Sequence, residues 1–165
     1  MAGCKYGGKN YSSCTITVAF DISWRGRLTV TGQNHGEGSP TVLLTADVVG
    51  GHATPMGTFH ASVWEKDHVS KKYGSLADTP YSKTLLGGNA FGPYQLHISE
   101  LESRGIYIHG TMGPRWNPST TLNALVSPTS HGCIRMANTD NITLFDMMPN
   151  PGTNPIIIKK KAPVK

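Results

Sequence analysis

The alternation of apolar and polar positions predicts a chain built mainly from short strands. Residues 15–20 place Thr and Ala between large apolar side chains, and residues 28–31 repeat this period after a turn at 24–27. A period of two is typical of strands with one buried face, so residues 15–31 are predicted to form a hairpin. Further strands are predicted at Thr41–Val49, Phe59–Trp64, Ile106–His109 and Pro155–Ile158, the last of them fully buried.

The helical period occurs once, near the carboxyl end. A helix is predicted over Asp140–Met148, with Asn138 or Thr139 as its cap and with Ile142, Phe145 and Met148 on one face. Residues 65–104 show no regular period, because Lys, Gly and Pro interrupt every candidate element. Two interpretations of this long aromatic-bearing insertion stay open: a binding loop or lid, or a strand pair with long turns.

Composition places the chain among single-domain globular proteins. Its 165 residues are 38% hydrophobic and include 19 Gly and 11 Pro, which suits short strands joined by many turns. We expect one domain with its core at about 15–158, a short amino-terminal segment and a basic tail. No stretch approaches the roughly 20 apolar residues of a membrane span, and no signal peptide is visible.

The net charge of +5 lies mostly in the tail, since four of these charges belong to Lys159, Lys160, Lys161 and Lys165. Such a tail is either a solvated end or a site of attraction to an anionic polymer such as a cell wall. Basic and aromatic residues do not interleave elsewhere, so a nucleic-acid partner is not expected.

The three cysteines suggest a division of roles. Their odd number motivates the hypothesis that Cys4 pairs with Cys14, which suits an oxidising compartment and leaves Cys133 free. Cys133 follows Gly132, whose backbone accepts conformations that let a substrate come close to the peptide N–H groups.

A free thiol titrates near pH 8.5, so nucleophilic attack at neutral pH needs a neighbouring imidazole. His131 lies two residues from Cys133, which strains good hydrogen-bond geometry, whereas His109 comes from a separate strand and approaches freely. We therefore predict that His109 is the base and that His131 shapes the site. The backbone N–H groups of Gly132 and Cys133 are predicted to bind an oxyanion.

Three segments together resemble the L,D-transpeptidase catalytic domain of the YkuD family. They are His109-Gly110-Thr111, Ser130-His131-Gly132-Cys133-Ile134-Arg135-Met136 and the turn Thr54-Pro55-Met56-Gly57-Thr58-Phe59. The resemblance covers about residues 15–158. It implies a mainly β, sandwich-like catalytic domain with a helix after the cysteine motif.

The resemblance also implies a two-step acyl transfer on peptidoglycan stem peptides. Cys133 attacks the amide between the third stem residue and terminal D-Ala, D-Ala leaves, and the thioester passes to an amine of a second stem as a 3→3 cross-link. His109 corresponds to the base and the Gly110 carbonyl to its orienting group, while the motif positions that support the pocket and bind substrate are Thr111, Ser130, His131 and Arg135. No metal or organic cofactor is implied, and we expect a monomer in the periplasm or cell wall.

One departure from the family pattern concerns the loop between the two motifs. Twenty residues separate His109 from Ser130, more than is usual in the family, and the excess contains Gly113, Pro114, Trp116 and Pro118. This enlarges a loop at the mouth of the cleft.

Several alternatives remain open from the sequence. Water or a D-amino acid as acceptor gives an L,D-carboxypeptidase or an exchange enzyme, and the same chemistry suits a secreted effector that damages a competitor's wall. A non-catalytic wall-binding module is a further class. A zinc site built from His109, His131 and Cys133 is a weaker rival, since no paired metal-binding motif accompanies them. Arg135 is either a carboxylate ligand or a structural cation.

Overall fold

The computed structural model describes residues 3–66, 94–110 and 132–160. Within these ranges the chain forms ten strands, one 3₁₀ helix and one α-helix. The elements are β1 (Cys4–Tyr6), β2 (Lys9–Tyr11), β3 (Ser13–Phe20), β4 (Arg25–Gln33), β5 (Thr41–Val49), β6 (Gly57–Lys66), β7 (Tyr94–Ile98), the 3₁₀ helix (Ser99–Arg104), β8 (Tyr107–His109), β9 (Ile134–Met136), α1 (Asn138–Met147) and β10 (Pro155–Lys160).

Eight of the described strands close into a barrel in the order β10-β3-β4-β5-β9-β8-β7-β6, and β10 pairs with β6 to complete it. Two neighbouring pairs are parallel, β10 with β3 and β8 with β9, and the other pairs are antiparallel. β1 and β2 form a separate small sheet. The prediction of a mainly β fold with a helix after the cysteine motif is confirmed, and the sandwich-like sheet is closed on itself.

The barrel interior follows from the alternation seen in the sequence. In β3 the side chains of Cys14, Ile16, Val18 and Phe20 are buried, while the residues between them are partly exposed. Leu28 and Val30 of β4 pair with Val18 and Ile16 and complete the same layer of the core. Removal of this apolar surface from water is the main force that holds the strands together.

The predicted hairpin over residues 15–31 is confirmed, but its predicted turn is wrong. The turn lies at residues 21–24, and β4 already begins at Arg25. The Asp21 carboxylate accepts hydrogen bonds from the backbone N–H groups of Ser23 and Arg25 at 2.8 and 3.2 Å. An aspartate whose side chain accepts a hydrogen bond from the backbone two residues later favours a turn at its own position. The turn therefore begins at Asp21, earlier than the position of Gly26 suggested.

The last strand, β10, extends to Lys160 and is only half buried. Ile156 and Ile158 face the core, whereas Pro155 and Ile157 are partly exposed. The prediction of a fully buried strand is therefore wrong. Because three isoleucines follow one another, the sequence does not show that this strand has one buried and one partly exposed face. The strand lies between β3 and β6 in the barrel.

At both ends of the segment 65–104 the structure favours the strand-pair interpretation, since Glu65 and Lys66 end β6 and pair with Gln95 and Tyr94. Residues 94–98 form β7, a barrel strand between β6 and β8, and Ser99–Arg104 form the 3₁₀ helix. The alternation Gln95-Leu96-His97-Ile98 was a strand signal that the preceding glycines and prolines obscured. Residues 67–93 of the predicted lid lie outside the described residues.

The helix after the cysteine motif begins two residues earlier than predicted. Its cap is Ala137, with no side-chain capping bond, and its buried residues are Asn138, Asn141, Leu144 and Met147. Thus the predicted caps are wrong, and of the predicted apolar face Met148 is fully buried whereas Ile142 and Phe145 are partly exposed. Asn141 is buried because its Oδ1 accepts the Tyr94 backbone N–H at 3.0 Å, a contact that the apolar period does not reveal. Neither of the two described helices is long and apolar enough to cross a membrane.

A disulfide joins Cys4 of β1 to Cys14 of β3, which confirms the predicted pairing. Cys14 is almost fully buried and Cys4 nearly so. The bond fixes the small amino-terminal sheet to the barrel, and it leaves Cys133 as the free cysteine of the chain.

We expect replacement of both Cys4 and Cys14 by Ser to lower the free energy of unfolding by about 2–4 kcal/mol, because the unfolded chain then regains the entropy that the closed loop removes. Urea denaturation of both proteins measures this difference. Reductant should lower the midpoint of the wild type and leave that of the double variant unchanged. Equal midpoints for the two oxidised proteins would contradict the prediction.

Candidate active site

The candidate site lies where two parallel strands meet, β8 and β9. Ile108 pairs with Ile134, and His109 pairs with Arg135. Paired residues project to the same face of a sheet, and successive residues alternate between faces. Ile108 and Ile134 are fully buried in the barrel core. Tyr107, His109, Arg135 and, by continuation of the alternation, Cys133 therefore lie on the outer face.

His109 is held in one tautomer by its neighbour in the chain. Its Nδ1 lies 2.5 Å from the Gly110 carbonyl oxygen, and the side chain is buried. A carbonyl oxygen only accepts, so Nδ1 carries the proton and donates it to this bond. In the neutral ring the lone pair is then on Nε2, which gives His109 the form that a general base requires.

The Cys133 thiol is partly buried beside the start of β8. Its Sγ donates to the Gly105 carbonyl oxygen at 3.4 Å. Burial raises the pKa of the Cys133 thiol, and a hydrogen bond from the Tyr107 backbone and the charge of Arg135 act in the opposite direction with smaller effect. The resting group is thus a thiol at neutral pH, and attack as a thiolate requires transfer of its proton to a base.

Two charged or titratable neighbours share this face with the thiol. Burial lowers the pKa of the Arg135 guanidinium, and the nearby Cys133 acts to raise it. Burial, followed by the charges of Cys133 and of two glutamates, raises the pKa of the Tyr107 phenol. Arg135 is therefore the positive group that favours a Cys133 thiolate, while Tyr107 stays neutral.

Tyr107 is backed by a histidine that lies between two carboxylates. His97 Nε2 lies 3.1 Å from Glu65 and Nδ1 lies 3.2 Å from Glu102, and its ring packs against Tyr107 with 4.7 Å between centroids. Each ring nitrogen of His97 therefore faces a carboxylate. This group supports Tyr107 from the side away from β9.

Gly132 occupies a conformation that only glycine tolerates easily, with φ of 116°. A side-chain carbon at this position would lie 2.9 Å from the Ile106 side chain and 3.2 Å from the Ala53 carbonyl oxygen. The glycine next to the thiol is thus required by both backbone conformation and space.

A buried threonine fixes the segment that carries Cys133. The Thr54 hydroxyl accepts the Gly51 backbone N–H at 2.9 Å and donates to the Gly132 carbonyl oxygen at 2.8 Å. Thr54 is 4% exposed, so neither bond is shared with solvent. One side chain therefore joins the turn before β6 to the residue that precedes the thiol, across 78 positions of sequence.

Five of the predicted site residues are described and lie around β8 and β9: His109, Gly110, Gly132, Cys133 and Arg135. Thr111, Ser130 and His131 lie outside the described residues, as does the enlarged loop between the motifs. Among the described residues no set of three His, Cys, Asp or Glu side chains is arranged to hold a metal ion.

Sequence reasoning missed two residues. Thr54 was recognised only as part of a turn, although its place in the Thr-Pro-x-Gly-x-Phe pattern was the available signal. Gln95 lies on β7, within the segment that the sequence predicts to be irregular, so it is not among the predicted site residues. The alternation around Gln95 identifies its face of the sheet, but no sequence signal shows that it pairs with His109.

The chain carries a free thiol and an oriented imidazole on adjacent parallel strands of a mainly β barrel. A family model described as the L,D-transpeptidase catalytic domain, YkuD, matches residues 16–163. The chain therefore belongs to the YkuD family, which confirms the resemblance seen in the sequence. No curated protein matches the chain.

Solved structures are similar in fold at low sequence identity. Bdellovibrio bacteriovorus Bd1075 matches with a TM-score of 0.55 and 18% identity, over 90% of this chain and 47% of that one. L,D-transpeptidase 1 of Mycobacterium tuberculosis matches with a TM-score of 0.49 and 22% identity, over 92% and 65% of the two chains. An L,D-transpeptidase from Xylanimonas cellulosilytica gives 0.48 and 18%, over 89% and 61%. This chain thus spans less than two thirds of each of these structures.

Replacement of Thr54 by Val should destabilise the protein by about 1–3 kcal/mol, because it removes the acceptor of the buried Gly51 N–H and the hydroxyl that donates to the Gly132 carbonyl. Thr54→Ser is the matched control, since it keeps the hydroxyl and loses only a methyl group. Urea denaturation measures the stabilities, and iodoacetamide alkylation of Cys133 reports the position of the thiol. Equal stability of the Val and Ser variants would show that the two bonds contribute little.

The raised pKa of Cys133 predicts a particular loss of stability at alkaline pH. A thiol whose pKa is higher in the folded than in the unfolded state binds its proton more tightly when folded. Its contribution to stability is therefore complete below the unfolded pKa and is lost as pH rises toward the folded pKa.

We expect the urea midpoint of the wild type to fall more between pH 8 and pH 10 than that of Cys133→Ser, whose hydroxyl does not titrate in this range. Burial, the main cause of the raised pKa of Tyr107, acts in both proteins, so the difference between the two curves reports the thiol together with its charge interaction with Tyr107. Parallel curves would contradict the assignment of a buried, protonated thiol.

Proposed function

We propose that the protein is a cysteine-dependent L,D-transpeptidase that acts on peptidoglycan stem peptides. Membership of the YkuD family supports the class of reaction. The observation that carries the proposal is the tautomer of His109: with Nδ1–H donated to Gly110, the neutral ring carries its lone pair on Nε2, the form that accepts a proton from a thiol.

In the first half-reaction Cys133 attacks the carbonyl carbon of the third stem residue. His109 Nε2 takes the thiol proton as the carbon–sulfur bond forms, and the carbonyl oxygen becomes an oxyanion. The backbone N–H groups of Gly132 and Cys133 bind this oxyanion. When the tetrahedral intermediate collapses, His109 gives its proton to the leaving nitrogen, and D-Ala departs with its amine intact.

The second half-reaction regenerates the thiol. An amine of a second stem attacks the thioester carbon, His109 removes the proton from this amine, and the sulfur leaves and recovers the proton. The products are a 3→3 cross-link and free Cys133. Arg135, Thr111 and Ser130 hold the stem peptide, and Arg135 supplies the positive charge for its carboxylate.

The Gly110 carbonyl fills the place that an aspartate has in other triads. A neutral acceptor fixes the ring orientation but stabilises an imidazolium less than a carboxylate does. The proton therefore stays on sulfur until substrate is in place, which agrees with the raised pKa of the Cys133 thiol.

Because the proposed substrate is the peptidoglycan of the cell wall, we propose that the protein acts in the periplasm or cell wall. We also propose that its active form is a monomer. Neither a metal nor an organic cofactor takes part in this reaction, because the thiol and the imidazole supply the nucleophile and the proton transfers.

Incubation with tetrapeptide muropeptides tests the proposal. We expect mass spectrometry to detect cross-linked dimers that have lost one D-Ala, and a covalent adduct on Cys133 at early times. Replacement of Cys133 by Ala should abolish both. Replacement of His109 by Ala should slow adduct formation by about 10²–10⁴-fold, the size of a general-base contribution.

Three outcomes would change the assignment. Tripeptides without dimers would indicate water as the acceptor, hence an L,D-carboxypeptidase, and incorporation of added D-amino acid would indicate exchange. Stem binding without any product would indicate a wall-binding module. Near-normal acylation of the His109 variant would transfer the base role to another residue, with His131 as the first candidate.

A further inference from the structure

Gln95 on β7 is the most unusual of the buried polar residues that the structure describes. It is 1% exposed, and among the described residues neither its carboxamide oxygen nor its nitrogen has a hydrogen-bond partner. A buried unpaired polar group costs about 1–3 kcal/mol, and buried polar side chains nearly always have a partner. A cost of this size requires an explanation.

The register of the sheet places Gln95 beside the proposed base. Gln95 pairs directly with His109 across the antiparallel strands β7 and β8. Directly opposed residues project to one face, with Cβ atoms about 4.5–5.5 Å apart. The carboxamide is therefore within reach of the imidazole after a modest rotation of the Gln95 side chain.

We propose that Gln95 is a positioning residue whose carboxamide stabilises the imidazolium form of His109. This inference rests on the proposed roles of Cys133 and His109. When Cys133 gives its proton to Nε2, a positive charge appears on a ring that is 3% exposed. The oxygen end of the Gln95 dipole is the group on the adjacent strand that turns toward this charge.

The lack of a partner in the resting state is part of the argument. An interaction that forms only after proton transfer lowers the barrier, whereas one that is equally strong before it does not. A carboxamide committed to a resting hydrogen bond would first have to break it. Gln95 has no such bond to break.

Other charged or titratable groups face this pair, and the test must separate their effects from that of Gln95. They are Glu65 of β6 in register with Gln95, Arg135 of β9 in register with His109, and Cys133, Tyr107 and His97 one step along the same face. Each of these groups remains in place when Gln95 is replaced by a residue of similar shape.

Gln95→Met is the decisive variant, because it keeps the length of the side chain and removes both polar atoms. We expect its melting temperature to equal or exceed that of the wild type, since two unpaired buried atoms are gone. The iodoacetamide alkylation rate of Cys133 at pH 7 should nevertheless fall by roughly tenfold, the effect of losing a polar contact to a charged group.

Gln95→Glu is the second variant, and it carries the test if the Met variant does not fold. A carboxylate or its acid keeps an acceptor oxygen at the same place, so we expect alkylation at pH 7 to be at or above the wild-type rate. Gln33→Met is the matched control, since Gln33 of β4 donates to the Glu37 carbonyl far from β8 and should leave the rate unchanged.

A double-variant cycle decides whether the effect passes through the base. In a His109→Ala background, Gln95→Met should have no effect on alkylation. The inference would be overturned if Gln95→Met lowered the alkylation rate of Cys133 equally with and without His109. It would also be overturned if the alkylation rates of wild type and Gln95→Met had the same pH dependence. Alkylation requires no peptidoglycan, so absence of muropeptide products would count against the proposed function and leave this test intact.

Discussion

The pairing of β8 with β9 is the interaction on which the site depends. Two short parallel strands, joined through Ile108–Ile134 and His109–Arg135, bring together segments that are far apart in sequence. Parallel neighbours need a long crossover connection, so no local turn holds this pair in register. The register is fixed instead by the burial of Ile108 and Ile134, because a slip of one residue in either strand would turn the isoleucine of that strand out of the core. The same burial directs His109 and Arg135 to the outer face.

Burial of the thiol sets the character of the proposed chemistry. It favours the neutral form of Cys133, and a carbonyl rather than a carboxylate orients the His109 imidazole. In the proposed reaction such a site holds no permanent thiolate–imidazolium pair, and it develops charge only when the reaction begins. Groups that respond to this charge therefore affect the rate more than they affect the resting structure.

Strands with a clear alternation of apolar and polar residues could be predicted from the sequence alone. The alternation in β3, β4 and β5 identified these strands, and the disulfide followed from the odd number of cysteines. The family also followed from the motifs around His109 and Cys133, and the proposed chemistry rests on these two residue types. Closure of the barrel could not be predicted, since it depends on β10 reaching both β3 and β6.

Two of the wrong predictions, the first turn and the face of the helix, share one physical cause, which is that a polar contact overrides the local pattern. Asp21 moved the first turn, and Asn141 turned the helix so that an amide faces inward. Thr54 is similar, since its hydroxyl matters because of a carbonyl 78 positions away. Each of these contacts joins residues whose proximity exists only in the folded chain, so no period of apolar residues reveals it.

Thr54 and Gln95 show two different uses of a buried polar side chain in one site. Both are almost fully buried, and both lie near the residues proposed to carry the chemistry. Thr54 has its hydrogen bonds in place, and these bonds fix the Gly132 backbone next to the thiol. Gln95 has none among the described residues, and in our proposal it responds instead to a charge that forms later. A buried group with complete bonds stabilises a position, whereas an incomplete one beside a proton acceptor favours a change of charge.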